Sequence, residues 1–537
     1  MKHLGTHLVA LLMVGLGLPV AGQPKHNILF IMTDDHAAHA MGAYGGRLSS
    51  LNPTPTLDAL AKEGMRFTNC FVTNSICVPS RASILTGQYS QRNGVLDLDS
   101  VLPREKNHLP QEMKKLGYQT ALIGKWHLGA TPDFDYYKVM YEHGGQGSYF
   151  DPHFLATGTP FTKEHNQKPE KSEQFKGHSS DIITDLTLKW LKEERDPDKP
   201  FFLMHHYKAP HDMFENAPRY DSYLEDVDIP EPVSLYAQPY FGSVGTHGVN
   251  GGMKHLIGTS ISDRHNLRNY TDILLGKDRP VENLKATRDA YQVYLKRYLR
   301  CVKGVDDNLA RLFDSLKASG LWEKTIIIYT SDQGMMLGEH DYQDKRWMYE
   351  ESIHMPFIIR HPEMKAKDLR NEMVINNVDF APTLLGLAGA ETPDYMHGRD
   401  FSRSVLSGEE LENWDNSTYY RYWMHMIHHD IPAHFGIRTE RYKLIFFYGY
   451  HWDPKRMGQP SMTWLKDSNK IIQTPAAWEF YDLERDPQEL VNRYDAEEYQ
   501  EVIGKMKERL KKKREQLDET DEAYPHLQRI IEASWDA

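Results

Sequence analysis

Acidic, basic and amide side chains recur in this 537-residue chain directly after short apolar runs. Asp34 and Asp35 follow Ile28 to Met32, Lys125 and His127 follow Thr120 to Ile123, His211 comes shortly after Phe201 to His205, and Asp332 and Gln333 follow Ile326 to Tyr329. If those runs are strands of an open α/β sheet, ligands bind beyond their carboxyl ends, and residues far apart in sequence meet on one rim. Three carboxylates and an amide oxygen are hard ligands, and the carboxylates raise one another's pKa values when clustered alone, so the pattern implies a bound cation, Ca²⁺ or Mg²⁺. An isolated Asp-Asp pair could equally cap a helix, and the matching Asp332-Gln333 pair is what argues for a shared ion. Neither Cys nor His occurs at a spacing typical of structural zinc. The densest signal is Ser75-Ile-Cys77-Val-Pro79-Ser80-Arg81-Ala-Ser83-Ile-Leu-Thr86-Gly87. Pro79 suits a first helical turn, which puts Cys77 at a helix N-terminus, where backbone N–H groups and the dipole favour an anion.

The elements that must carry these residues are legible as alternating patterns. Besides the four runs above, Phe357 to Ile359 reads as a buried strand. Helical spacing separates several of them: Thr56 to Gly64, Asp181 to Arg195 with Ile182, Leu186, Trp190 and Leu191 on one face, and the long Ala286 to Ser319. The alternation predicts an α/β fold with a doubly wound, mostly parallel central sheet in residues 23–400. After about Gly398 the chain turns aromatic and His-rich, with strands expected at Phe435 to Arg438 and Lys443 to Phe447 and a charged helix at Ala496 to Leu517. Residues 401–537 are therefore expected to form a smaller α+β subdomain closing one side of the cleft. Gly242 to Asn269 reads as a long surface loop.

The motif around Cys77 is similar to the signature of formylglycine-dependent sulfatases. C-x-P-S-R followed by A-S-x-L-T-G matches it, and flanking matches run from N-I-L-F-I-M-T-D-D through G-K-W-H, K-A-P-H and S-D-Q-G to D-K-R-W-M-Y-E. The resemblance covers essentially the mature chain and implies an alkaline-phosphatase-like fold. It implies that Cys77 is oxidised to an aldehyde by a formylglycine-generating or anaerobic sulfatase-maturing enzyme. The hydrated aldehyde would attack sulfur with one oxygen, and its second hydroxyl would later expel sulfate. It also implies that Asp34, Asp35, Asp332, Gln333 and the modified Cys77 hold the metal and that Arg81 and Lys125 fix the diol. His127 would take its proton, and His211 and Lys345 would contact the sulfate and the leaving oxygen. The family most often shows Asn where Gln333 stands; the amide oxygen is the same, on a longer arm.

Lys2 and His3 before the apolar run Leu8 to Val20, with small residues near a cut at Gln23, predict a signal peptide at 1–22 and a secreted or periplasmic protein without membrane insertion. No Cys stands at the cut, which argues against a lipid anchor. Three cysteines leave at least one unpaired, and a net charge of −12 argues against nucleic-acid binding. The chain looks most like exported bacterial carbohydrate sulfatases, which implies a sulfated carbohydrate substrate, with 6-O-sulfo-N-acetylglucosamine or a related hexosamine as the expected ester. Tyr207-Lys-Ala-Pro-His-Asp and the group His425, His428, His429, His434 and Arg438 are expected to place polar and cationic side chains around a sugar cleft. A phosphoryl or phosphonate hydrolase of the same superfamily and a non-catalytic glycan-binding protein are the alternatives.

Overall fold

The computed structural model describes residues 25–161, 171–236, 239–247, 284–427, 429, 431–456 and 473–536. The expected signal peptide, most of the expected 242–269 loop and His428 lie outside the described residues; within that loop, Val244–His247 is a helical turn. In chain order the strands are β1 (Asn27–Thr33), β2 (Met65–Phe71), β3 (Gln119–Gly124), β4 (Tyr136–Met140), β5 (His153–Ala156), β6 (Glu173–Gln174), β7 (Phe201–His206) and β8 (Thr325–Ser331). The short β9 (Met336–Leu337) and β10 (Gln343–Asp344) pair with each other, and β11 (Phe357–Arg360) and β12 (Leu369–Asn376) follow. The last four are β13 (Ser417–Tyr422), β14 (His434–Thr439), β15 (Tyr442–Phe447) and β16 (Ala477–Asp482).

Ten strands form one mixed sheet in the order β12-β2-β11-β8-β1-β7-β3-β4-β5-β6. The central β8, β1, β7, β3 and β4 are parallel, as the alternating pattern requires. Phe357 to Ile359, expected as a buried strand, runs antiparallel to β8 and β2, because no crossover helix spans its connection from β8. β1 shows why the central runs read as unbroken apolar stretches: Ile28, Phe30 and Met32 enter one core and Leu29 and Ile31 the other, so both faces are covered. The Cys77–Thr86, His108–Lys115 and Phe380–Leu387 helices cover the first face. The Ser179–Lys189 and Leu284–Ala318 helices cover the second. The expected Asp181 to Arg195 helix is helical to Lys189 and then widens into a π-turn over Trp190–Glu194. All three cysteines are free and buried, and no described helix is long and apolar enough to cross a membrane.

The C-terminal sheet is antiparallel, in the order β13-β14-β15-β16, so the two expected strands are the middle pair of four. One face packs against the Gln500–Gln516 helix through Ile503, Met506 and Leu510. The other joins the first core through Tyr420, Tyr422, Ile445, Phe447 and Tyr481. Charge also crosses this junction. Lys443 of β15, fully buried, lies 2.8 Å from Glu350 and 2.7 Å from Glu489, and Arg438 of β14 grips Glu350 at 3.1 and 3.2 Å. Glu350 opens a short helix just after the segment carrying Lys345, so the same pairs tie the second sheet to that segment. Lys443→Met leaves Glu489 buried without its counter-charge and should destabilise the fold by about 3–5 kcal/mol, read as a fall in the urea midpoint. An unchanged midpoint would show that the junction rests on its apolar contacts alone.

Candidate active site

Strand register brings the candidate residues together. Thr33 pairs with Ser331, Met32 with His206, and Gly124 with His206, so four parallel strands end in one row. The next residues are Asp34 and Asp35 from β1, Asp332 and Gln333 from β8, Lys125 from β3, and Tyr207 and Lys208 from β7. Backbone bonds continue the row past the strands: Asp332 N donates to Thr33 O at 3.1 Å and Lys125 N to His206 O at 2.9 Å. Asp35 and His127 sit in left-handed backbone at φ 68° and 58°, a strained arrangement for non-glycine residues that is common at functional sites.

Cys77 is the first residue of its helix, after an extended Ile76, and Gly87 ends the helix at φ 64°, as a left-handed cap requires. Every residue of this helix is buried, so it is a core element with only its N-terminus at the site. Ser75 fastens the entry, within 2.9 Å of Ser352 Oγ and 3.0 Å of the Tyr420 hydroxyl while accepting from Arg346 N at 2.9 Å. The Cys77 thiol donates to Asp34 Oδ1 at 3.2 Å, with Gln333 Nε2 at 3.4 Å and Lys125 Nζ at 3.8 Å. Burial, reinforced by the Asp34 charge, pushes this thiol up to about 12, so at neutral pH it is protonated and a poor nucleophile as it stands.

Asp34, Asp35 and Asp332 are each fully buried, with carboxylate oxygens all within 4.8 Å of one another. Each is hydrogen-bonded by a different cation: Lys125 bonds Asp34, Lys345 Nζ bonds Asp35 at 2.5 Å, and Arg81 Nε bonds Asp332 at 2.9 Å, with Arg81 Nη2 also 3.7 Å from Asp34. Burial would raise Asp34, but Lys125, His211 and Arg81 outweigh it and hold its carboxyl well below the usual range. Asp332 goes the other way, pushed up to about 8 by burial and by the Asp34 charge. A carboxylate whose ionised form is penalised by burial and by neighbouring carboxylates fits a position beside a cation. Gln333 supports the same reading: its amide nitrogen bonds Asp35, while its Oε1 is buried without a hydrogen-bond partner. Turning the nearly isosteric amide over would direct Oε1 among the carboxylates. The donor set is oxygen-rich and fits Ca²⁺ or Mg²⁺ chemistry.

The remaining candidates divide. His211 sits in the turn after β7, its Nδ1 donating to Asp212 O at 2.6 Å and its Nε2 3.8 Å from Asp35 Oδ2. His127 Nδ1 is buried without a partner, and burial followed by Lys125 pushes this imidazole well below its ordinary value, leaving it neutral. Of the proposed cleft group, His429 reaches the rim, its Nε2 3.7 Å from Asp344 Oδ2. Three others do not belong to a cleft. His425 accepts from Ala433 N at 3.2 Å and braces its own hairpin, and burial pushes it down to about 3. His434 is fully buried in an aromatic stack with Tyr420, Trp347 and Phe447. Arg438 is held by Glu350 with its guanidinium 4.3 Å from the Phe71 ring centroid. Polar residue type in an aromatic segment suggested a cleft, but sheet pairing turned these side chains inward. Conversely, Asp344 and Arg346 were overlooked beside Lys345. Arg346 Nε donates to Asp344 Oδ2 at 2.9 Å, its Nη1 has no hydrogen-bond partner, and both residues have positive φ. Their only sequence signal was the D-K-R triplet itself.

Comparison with known proteins agrees with this geometry. The sulfatase family matches residues 26–390, and the N-sulphoglucosamine sulphohydrolase C-terminal family matches 338–457 and 450–516. An N-acetylglucosamine-6-O-sulfatase of Bacteroides thetaiotaomicron is 34% identical over 96% of this chain and 91% of its own length. A solved structure of a protein in complex with its substrate D-glucosamine-2-N,6-O-disulfate superposes with a TM-score of 0.77 at 33% identity, over 93% of this chain and 99% of that one. A phosphonate monoester hydrolase of Agrobacterium radiobacter, at 21% identity and a TM-score of 0.66 over 92% of this chain and 96% of that one, shares the fold. That fold is alkaline-phosphatase-like, a large mixed sheet followed by a smaller antiparallel one. Members of the first of these families hydrolyse sulfate esters and generally depend on formylglycine and a metal ion. With its Cys77 motif seated among the carboxylates and the family match running through most of its length, the chain belongs to the sulfatase family.

Proposed function

We propose that this protein removes the 6-O-sulfate of N-acetylglucosamine or a related glucosamine in sulfated glycans, after export and loss of residues 1–22. Residues 23–400 supply the chemistry and 401–537 help close the cleft. The observation that carries the sulfatase mechanism is Cys77 at a buried helix N-terminus, within hydrogen-bonding reach of a carboxylate and an amide. When present, formylglycine at position 77 supplies an oxygen nucleophile, and Ca²⁺ held by Asp34, Asp35, Asp332 and Gln333 supplies positive charge beside it.

The chain's own residues then divide the work. Arg81 and Lys125 fix residue 77 and the carboxylates in one geometry, Arg81 also bonding Lys125 O at 3.1 Å. His127, kept neutral, can accept a proton in the release step. His211, oriented by Asp212, and Lys345, bonded to Asp35, would serve the sulfate and its leaving oxygen, where a proton or a positive charge is needed. Asp344, Arg346 and His429 stand beside Lys345 and offer a carboxylate, a planar fork of donors and an imidazole. That combination suits sugar hydroxyls, whereas an aryl or steroid group calls for an apolar slot. A primary 6-O-ester projects from the ring and reaches a recessed nucleophile. The names of the two relatives above, both concerned with 6-sulfated glucosamines, point the same way.

Defined mono- and disulfated glucosamines, assayed beside aryl sulfate and aryl phosphate, test the assignment. Activity confined to secondary ring sulfates or to aryl esters would leave only the reaction type. Peptide mass spectrometry of active protein should find an aldehyde at position 77, and Cys77→Ala should abolish turnover; an active preparation holding only the intact thiol would end this mechanism. Exhaustive chelation should abolish activity and Ca²⁺ restore it. Asp332→Ala should be inactive and Gln333→Asn partly active, whereas full turnover by metal-free protein would remove the cation from the scheme. Arg346→Ala should raise KM for the 6-sulfated sugar by about tenfold or more, the usual range for a lost charged hydrogen bond, with much less effect on an aryl sulfate. Equal losses on both substrates would refute a sugar-reading role.

A further inference from the structure

The geometry points to an additional anion-binding group: we propose that the Lys208 ammonium contacts an oxygen of the transferring sulfate. Lys208 sits in the turn after β7, between the strand ends that carry Asp34 and Lys125. The residue is only 6% exposed. It lies close enough to Lys125, Asp34, Asp212 and Cys77 to feel their charges. Among the described residues its ammonium makes no hydrogen bond or ion pair. What it meets is the face of Tyr149, 5.0 Å from the ring centroid.

Every other cation at the rim is matched. Lys125 has Asp34, Lys345 has Asp35, Arg81 has Asp332, and the nearby Asp212 is engaged by His211. A desolvated ammonium resting on a ring face alone is under-compensated, because a cation–π contact returns less than water does. An incoming anion supplies what is lacking. The same turn holds the group in place for that anion: His211 N donates to Lys208 O at 3.2 Å, and the Tyr149 hydroxyl donates to His211 O. Tyr149 thus underlies the lysine and fixes the backbone of the histidine, so the two side chains present themselves as a pair. A cation free before binding adds attraction for the ground-state sulfate and for the transition state alike, and its removal should appear mainly as weaker binding. The inference rests on the sulfatase assignment and is indifferent to which sugar carries the ester.

The test uses modified, metal-replete enzyme with inorganic sulfate as a competitive inhibitor, read on whichever ester, sugar or aryl, is turned over. Lys208→Met should raise the inhibition constant for sulfate by about tenfold, the scale of one charged hydrogen bond, raise KM in parallel and change kcat less. Lys208→Arg should recover most of the sulfate affinity. Lys208→Gln, which keeps a donor and loses the charge, carries the same measurement if the Met variant does not fold. An unchanged inhibition constant with a lowered kcat would mean that Lys208 merely positions His211, and the proposal would fall. A failed sugar assignment leaves the sulfate constant readable and is thereby distinguished from failure of this one.

Discussion

Asp34 and Asp332 stand at the ends of neighbouring parallel strands whose register pairs Thr33 with Ser331, and the sheet offers them no way apart. With Asp35 they concentrate negative charge where water is excluded, and an uncompensated buried ion costs several kcal/mol. The rest of the rim follows from that cost. Lys125 arrives from β3, Arg81 from the buried helix and Lys345 from the excursion after β8, each bonded to one of the three carboxylates. The compensation is incomplete, as the raised Asp332 carboxyl and the orphaned Gln333 oxygen show, and the remainder is a place for a cation.

The same constraint accounts for where the backbone is strained. Asp35, His127, Asp344 and Arg346 all adopt positive φ, at 68°, 58°, 73° and 87°. Such conformations cost on the order of 1–3 kcal/mol each for non-glycine residues and persist only where the surroundings over-determine them. Here the surroundings are a sheet buried on both faces and a helix buried along its whole length, scaffolding rigid enough to hold side chains for chemistry.

Much of this was legible in the sequence. Apolar runs ending in Asp-Asp, Lys-x-His and Asp-Gln identified the central strands and the rim together, because parallel buried strands are continuous apolar stretches and their carboxyl ends collect function. The helix N-terminus at Cys77 was readable from Pro79 and Gly87. What escaped depends on pairing. β2 mixes buried with half-buried polar positions and β12 carries exposed ones in its first half, and both lack the long apolar runs that marked the central strands. The reversal of β11 is a property of its connection and not of its four residues. His434 and Arg438 looked like cleft residues because type alone does not say which face of a strand they occupy, and both faces of β14 are covered. Asp344 and Arg346 were hidden for the opposite reason, since a charged triplet after a short ribbon reads as ordinary surface until Lys345 draws it inward.

The reversal of β11 also bears on how such a site can change over generations. Residues 332–356 leave the sheet at the end of β8 and return one strand away, in hydrogen-bonded register with the strand they left. That single excursion carries two candidate cation-site residues, Lys345, the Asp344–Arg346 pair and the Glu350 tie to the second sheet. Its apolar residues Met336, Tyr342, Trp347 and Ile353 belong to the first core and are not free to vary, which leaves the polar positions between them as the ones that can change without disturbing strand register. Descent could therefore rework polar positions such as Asp344 and Arg346 within one excursion while its first two residues, Asp332 and Gln333, stay fixed at the strand end.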